Sequence, residues 1–185
     1  MIRPIALAAL LIGMNATVYA QAAPAWMVSE GSTLTFVAIQ QGAPFQGRFD
    51  SFAADIAFAP DALESSRIVV TVELSSVNTQ YAQRDEVLQM PEFFHVERWP
   101  RGRFEAAAFR ALGGSDYAAV GMLTLRDQTY PLEVPFRFER DGAKATLTGE
   151  VVISRLRFGI GQGEWSDTAW IGADVTVSFT LNLER

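Results

Sequence analysis

Side chains that do covalent or acid–base chemistry are scarce in this sequence. Its 185 residues include one histidine, His95, and no cysteine. Without cysteine there are no disulfides, thiolate zinc sites, iron–sulfur clusters or sulfur nucleophiles. A single histidine excludes a histidine-cluster metal site. A Ser-His-Asp triad would have to run through His95, and no Gly-x-Ser-x-Gly elbow accompanies it. His95 therefore reads as a structural or surface residue. The run Gly159-Ile160-Gly161-Gln162-Gly163 has the spacing of a dinucleotide loop. It lacks the strand–turn–helix setting and the second half of that fingerprint, so its glycines read as turn formers that reach positive φ. The acids Glu64, Asp85 and Glu86 remain. Adjacent residues on a helix do not face each other, so Asp85 and Glu86 do not make a carboxylate pair. The expectation is a protein with no catalytic residue, no metal site and no required cofactor: a binding protein rather than an enzyme.

What the sequence supplies in quantity is one-sided apolar strand. Ile171 to Leu183 alternates without a break, with Ile171, Ala173, Val175, Val177, Phe179, Leu181 and Leu183 on one face and polar residues on the other. Side chains on a strand alternate between faces, so this is a long wall with one greasy side. The same period recurs upstream. Ser32–Gln40 carries Leu34, Phe36 and Ala38 on one side. After the Gly42-Ala43-Pro44 turn, Phe45, Gly47 and Phe49 alternate, and then Phe52, Ala54, Ile56 and Phe58. The switch from odd to even positions predicts a bulge or sharp bend at Asp50–Ser51, or else two separate short strands. Ile68–Leu74 is a further strand. Strands resume at Arg103–Arg110 and at Tyr117–Leu125, after a turn at Gly113-Gly114. A turn at Asp127-Gln128 leads into Tyr130–Phe138. Asp141-Gly142 marks a hairpin, and Ala145–Ile153 follows it. Between Asn78 and Pro100 the period-two pattern stops. Thr79 is placed to cap a short helix over Gln80–Met90, and Pro91 to begin a second helical turn towards Phe93 and Phe94.

About eight antiparallel strands joined by near-neighbour hairpins, with one helical interruption around residues 80–94, predict an all-β, eight-stranded antiparallel barrel. Its inner face gathers Phe36, Phe49, Phe52, Ile56, Phe58, Val70, Val72, Leu125, Val134, Phe136, Leu147, Val151, Val177 and Phe179. Small inward residues such as Ala38, Gly47, Ala106, Gly121 and Gly149 leave room. In a barrel of this size such a face either packs solid or encloses one ligand, and the pattern leaves both open. An outer-membrane barrel shares the alternation with its faces reversed. The helical interruption, the glycine-rich loop and the lack of aromatic girdles weigh against that reading.

At the N-terminus, Met1-Ile2-Arg3 precedes an apolar run, Ile5–Gly13, and Val18-Tyr19-Ala20 offers small residues at a cleavage site. Residues 1–20 read as a secretory signal peptide cut after Ala20, with Ala23 as a second possible site, which places the domain 21–185 in the periplasm. Cleavage removes Arg3 alone among the 15 basic residues. The remaining 14 against 21 acidic residues give a net charge of −7. That opposes binding to nucleic acid or to anionic lipid surfaces.

The sequence resembles the YceI-like family of secreted, lipocalin-like isoprenoid-binding proteins along essentially the whole mature chain. The resemblance rests on blocks in order: Gly47-Arg48-Phe49 to Phe58; Arg84-Asp85, Leu88, Phe93-Phe94, Pro100 and Phe104; Gly121-x-Leu123-Thr124-Leu125-Arg126-Asp127 with Thr129 and Pro131; and Arg155, Phe158-Gly159 and the last long strand. It implies a lipocalin-like barrel whose tunnel holds one polyprenyl compound or isoprenoid quinone, for transport, storage or sequestration. Phe93 and Phe94 of the helical segment, with Phe104, Phe158 and Val175, complete the candidate tunnel wall. Gln40, Arg84 and Asp85 are candidate polar groups at its mouth, although Arg84 and Asp85 equally suit an ion pair that pins the helix to the barrel. The Phe158–Trp165 segment also resembles members found beside b-type membrane cytochromes, which implies such a cytochrome as a possible partner. Many members carry a histidine where this chain has Gln40 or Gln41, and another where it has Val87. Head-group preference therefore does not transfer.

Overall fold

A computed structural model of the protein describes residues 22–185. Residues 1–20, read above as a signal peptide, lie outside the described residues. The strands are β1 (Ala25–Val28), β2 (Thr33–Gln40), β3 (Ala43–Phe49), β4 (Phe52–Ala57), β5 (Arg67–Glu73), β6 (Val77–Asn78), β7 (Arg101–Gly113), β8 (Asp116–Leu125), β9 (Gln128–Asp141), β10 (Lys144–Ser154) and β11 (Asp174–Glu184). The α-helix α1 spans Ala82–Gln89.

These eleven segments make eight staves. The first three staves are each broken once, so β1 with β2, β3 with β4, and β5 with β6 are single staves with a bend. Neighbours in sequence then pair antiparallel all the way round. β11 closes the ring by pairing with both halves of the first stave, through Val177↔Phe36 and Val28↔Leu183. The result is the closed, up-and-down, eight-stranded antiparallel barrel that the alternation predicted, with one short helix.

The bend expected at Asp50–Ser51 separates β3 from β4. It is pinned by a 3-10 turn over Leu74–Ser76: Asp50 N–H donates to Ser76 O at 3.0 Å, and Ser51 N–H to Ser76 Oγ at 3.0 Å. Three local expectations shift. The helix starts two residues late because Gln80 has φ 60, and Thr79 does not cap it. Residues 91–94 form turns, not a second helical segment. The β8–β9 turn is Arg126-Asp127, one residue earlier than expected, with Arg126 in the left-handed region at φ 56.

Apolar side chains point inwards and the outer face carries exposed cross-strand ion pairs such as Arg67–Glu105, Arg110–Glu133 and Arg137–Asp116. That is the reverse of an outer-membrane barrel. Inside, two packed clusters occupy the two ends. At one end, Phe58 is wholly buried and meets Tyr117, Phe136 and Phe138 edge-on, with centroids 5.1, 5.2 and 4.9 Å away. Trp26 seals this plug, and its indole N–H donates to Phe58 O at 3.0 Å. At the other end α1 and the 155–171 loop form a cap over Phe93, Leu123, Phe158 and Ile160.

Candidate functional site

Between plug and cap lies a cavity of about 420 Å³. That is within the roughly 300–1,000 Å³ of small-molecule sites. Each stave contributes alternate residues to its wall. β2 supplies Phe36 and Ala38, and β3 supplies Phe49. β4 and β5 supply Phe52, Val70 and Val72; β7 and β8 supply Phe104 and Leu125. β9 and β10 supply Val134, Phe136, Leu147 and Val151, and β11 supplies Val175, Val177 and Phe179. Phe93 and Phe94 reach it from the cap. Val175, Val177, Phe179 and Leu181, the alternate residues of β11, all line the cavity, so the lined stretch of this strand is about 20 Å long at roughly 3.3 Å per residue. The opposite face of β11 is half-buried rather than fully in water: Ser178 Oγ donates to Glu150 Oε2 at 3.0 Å.

Three expected wall residues fall elsewhere. Ile56 and Phe58 belong to the plug, because alternation fixes the face of a strand but not the height along the barrel axis. Phe158 ends a 3-10 turn and packs under the cap on Tyr130, with centroids 5.3 Å apart.

Two glycines shape the wall. Gly47 faces Phe36 across the β2–β3 ladder, and Gly149 faces Phe179 across β10–β11. Each aromatic ring lies over the glycine, in space that a Cβ would occupy. The rings are thereby held flat to the wall and the centre stays open.

The polar groups collect at the cap. Gln40 and Arg84 line the cavity there, beside Tyr81, Gln83 and Trp165. Arg84 stacks its guanidinium 4.1 Å from the Phe45 ring centroid. Asp85 is not a cavity residue. Its Oδ1 accepts from Thr79 N–H at 2.8 Å and from Thr79 Oγ at 2.7 Å, which ties α1 to the end of β6. The two side chains thus go separate ways and do not form the ion pair considered above. His95 stands outside the cavity, edge-on to Trp99 at 5.1 Å. Among the described residues no cluster of His, Asp and Glu could hold a metal.

Sequence reasoning missed several wall residues, among them Leu34, Leu132, Ile153 and Leu181, and two buried arginines. Arg155, 4% exposed, donates from Nε to Gly172 O (2.9 Å), from Nη1 to Ile160 O (2.8 Å) and Gly161 O (3.3 Å), and from Nη2 to Ile171 O (2.7 Å). One guanidinium thereby gathers both ends of the 155–172 loop. Burial pushes its pKa down, and the carbonyl dipoles serve as its counter-charge. Arg126 donates from Nη1 to Pro91 O at 2.9 Å and to Phe93 O, with its guanidinium 4.7 Å from the Trp99 centroid. Burial lowers its pKa too, while Asp127 and Glu92 oppose the shift. Both are positioning residues: they hold the cap over the cavity. Both stood in the sequence blocks described above, but charge gave no sign that they were buried.

Residues 26–183 match the model of the YceI-like domain. The chain belongs to the YceI-like family. Among its relatives, a UPF0312 protein of Shewanella oneidensis is 27% identical over 120 residues, 62% of this chain and 63% of that protein. Another, from Pseudomonas savastanoi, is 27% identical over 140 residues, 72% of this chain and 71% of that one. For an Azotobacter vinelandii relative the match spans 50% of its length. The fold agrees with BcnA of Burkholderia cenocepacia at a TM-score of 0.81 and 26% identity, over 84% of this chain and 98% of that one. It also agrees with a polyisoprenoid binding domain from Saccharophagus degradans at 0.69 and 15% identity, over 86% and 97%. The YceI-like cavity described here offers burial and a few polar groups at one end, which is the equipment of a binding protein.

Proposed function

We propose that this protein holds one long isoprenoid lipid, a polyprenyl compound or isoprenoid quinone, in its barrel for transport, storage or sequestration in the periplasm. The observation that carries the reading is the cavity itself: walled by carbon on every stave, with polar groups such as Gln40 and Arg84 gathered under the cap. Each methylene moved from water into such a wall contributes about 0.8 kcal/mol, so a chain of several isoprene units binds tightly without any charged contact. The name of the Saccharophagus neighbour supports the ligand class. At the cap, Gln40 and the Trp165 indole suit an uncharged hydrogen-bonding ring, whereas a phosphate would look to Arg84. Secretion rests on the N-terminal signal segment. The test is extraction of the purified mature protein with organic solvent and mass spectrometry of the extract. A stoichiometric isoprenoid is expected. A protein free of lipid that takes up neither added ubiquinone nor polyprenol sinks the reading.

A second reading, an interaction module for a membrane b-type cytochrome, draws on the exposed Tyr81, Met90 and Trp170. It predicts co-purification with the cytochrome that persists when Ala38→Trp blocks the cavity.

A further inference from the structure

The barrel wall is not laddered throughout. The β9–β10 ladder runs from Asp141↔Lys144 to Phe136↔Gly149 and stops. Beyond it, residues 128–135 pair only with β8, and residues 150–154 only with β11. These two half-strands face each other over the cap half of the barrel. Their inward side chains, Leu132 and Val134 on one side and Val151 and Ile153 on the other, all line the cavity.

The sequence contains the reason for the gap. In an antiparallel strand, alternate residues direct their N–H groups to opposite neighbours. Phe138 N–H donates to Ser115 O at 2.9 Å, on the β8 side, and the β8–β9 register is unbroken. Even-numbered residues of β9 therefore donate towards β8 and odd-numbered ones towards β10. Pro131 and Pro135 are both odd. Proline has no N–H to give, so two of the donors that would extend the ladder are deleted. The same deletion makes this edge a poor template for an added partner strand.

Elsewhere at this end, β3 is laddered to β6 only at Arg48 and Phe49, and beside the rest of that edge the Arg84 guanidinium of α1 lies 4.1 Å from the Phe45 ring centroid. The seam has only side chains across it. Tyr130 packs edge-on against Phe158, and Arg157 lies 4.5 Å from the Tyr130 centroid. On the outside the lips carry exposed Pro131, Pro135, Val152 and Leu156 beside the exposed carboxylates Glu133 and Glu150. The alternatives are harder to open. The plug is solid, and lifting the cap breaks the charge-assisted hydrogen bonds of Arg126 and Arg155 to backbone carbonyls. Parting the seam breaks no ladder.

We propose that the seam between β9 and β10 is a lateral portal through which a long apolar chain enters and leaves the cavity, with Tyr130 as its latch. The proposal rests on the lipid-binding reading above and adds the route. It predicts that the chain slides in sideways between Pro131–Pro135 and Glu150–Ser154 while the cap stays shut.

Retinol, a fluorescent isoprenoid alcohol, is the probe, and its transfer from the full mature protein to acceptor vesicles is the readout. Continuing the Phe136↔Gly149 register places Glu133 opposite Val152 across the gap, both exposed. The native chain has no cysteine, so Glu133→Cys with Val152→Cys can be bridged by a reducible bismaleimide without side reactions. Bridging is expected to slow transfer about tenfold or more while leaving retinol capacity unchanged, and reductant to restore the rate. The same bridge placed across the laddered half, at Glu139→Cys with Thr146→Cys, is expected to change nothing. Tyr130→Ala is expected to speed transfer about three- to tenfold, the scale of a lost edge-to-face ring pair. Bridged and unbridged proteins with rates within a factor of about two would overturn the portal. No uptake of retinol, ubiquinone or polyprenol by the wild-type protein would remove the binding reading, and the portal with it.

Discussion

Gly47→Ala tests whether the open cavity is what binds. Gly47 lies under the Phe36 ring, and an added Cβ would sit 2.6 Å from Phe36 Cε1 and closer still to Cζ. Carbon atoms rest at about 3.5–4.0 Å, so the ring must retreat by about 1 Å. The three nearest atoms to the new methyl all belong to that ring, so the side chain rather than the backbone is first to give way. Phe36 is confined by Phe45 and Phe49, with centroids 6.3 and 5.6 Å away, and the free space lies towards the cavity. A ring pushed inwards by that amount takes the room of about one or two methylenes. At about 0.8 kcal/mol each, the ligand loses about 0.8–1.6 kcal/mol, which weakens Kd about four- to fifteenfold. The empty protein changes little, because alanine is no worse than glycine in a strand. Retinol titration by fluorescence, run beside urea unfolding, reads both quantities. A folded Gly47→Ala variant with Kd unchanged within a factor of about two would refute the reasoning, as would an affinity loss that merely tracks a stability loss.

Gly121→Ala is the contrasting case: its Cβ would lie 2.8 Å from Glu105 C and 2.9 Å from Ala106 Cα, which are backbone, so unfolding in urea should show a loss of about 3 kcal/mol. Arg155→Met leaves the carbonyls of Ile160, Gly161, Ile171 and Gly172 without their donor, and the loop should lose protection in amide exchange first. At a cost of about 3 kcal/mol and a slope of about 2 kcal/mol/M, its urea midpoint should fall by about 1.5 M, and Arg155→Lys should recover only part of it. Asp116, hydrogen-bonded to Arg137, and Asp50, hydrogen-bonded to Asn78 and Arg48, have carboxyl pKa values below the usual range. A depressed folded pKa means the pairs support the fold above the unfolded value and lose that support as pH falls through the folded one. Tm should therefore drop on acidification below about pH 4, less steeply for Asp116→Asn.

Much of the fold was legible because a barrel stave is one-sided, and period two reports one-sidedness directly. The Asp50–Ser51 switch was legible for the same reason, as a phase error in that period. Height along the axis was not: Phe52 and Phe58 share a face of one stave, yet one lines the cavity and the other fills the plug. Nor was the fate of single polar groups, since Asp85 chose Thr79 and Arg155 chose backbone carbonyls, partners brought near only by the fold. Pro131 and Pro135 sit between the alternating residues of β9. Read only for apolar period, that strand looks continuous; read for donors, it is half an edge.

The ring closes where β11 meets the first stave, with Val28 beside Leu183 and Phe36 beside Val177. Those partners stand at opposite ends of the domain, so the loop to be closed is nearly the whole chain. Such long-range pairing makes folding slow, and it comes after the local hairpins. Until β11 docks, the greasy faces of β2 and β10 have no opposite wall and invite aggregation or a chaperone. The barrel and its interior thus arise in a single late event, and no partly made molecule has a compartment to fill.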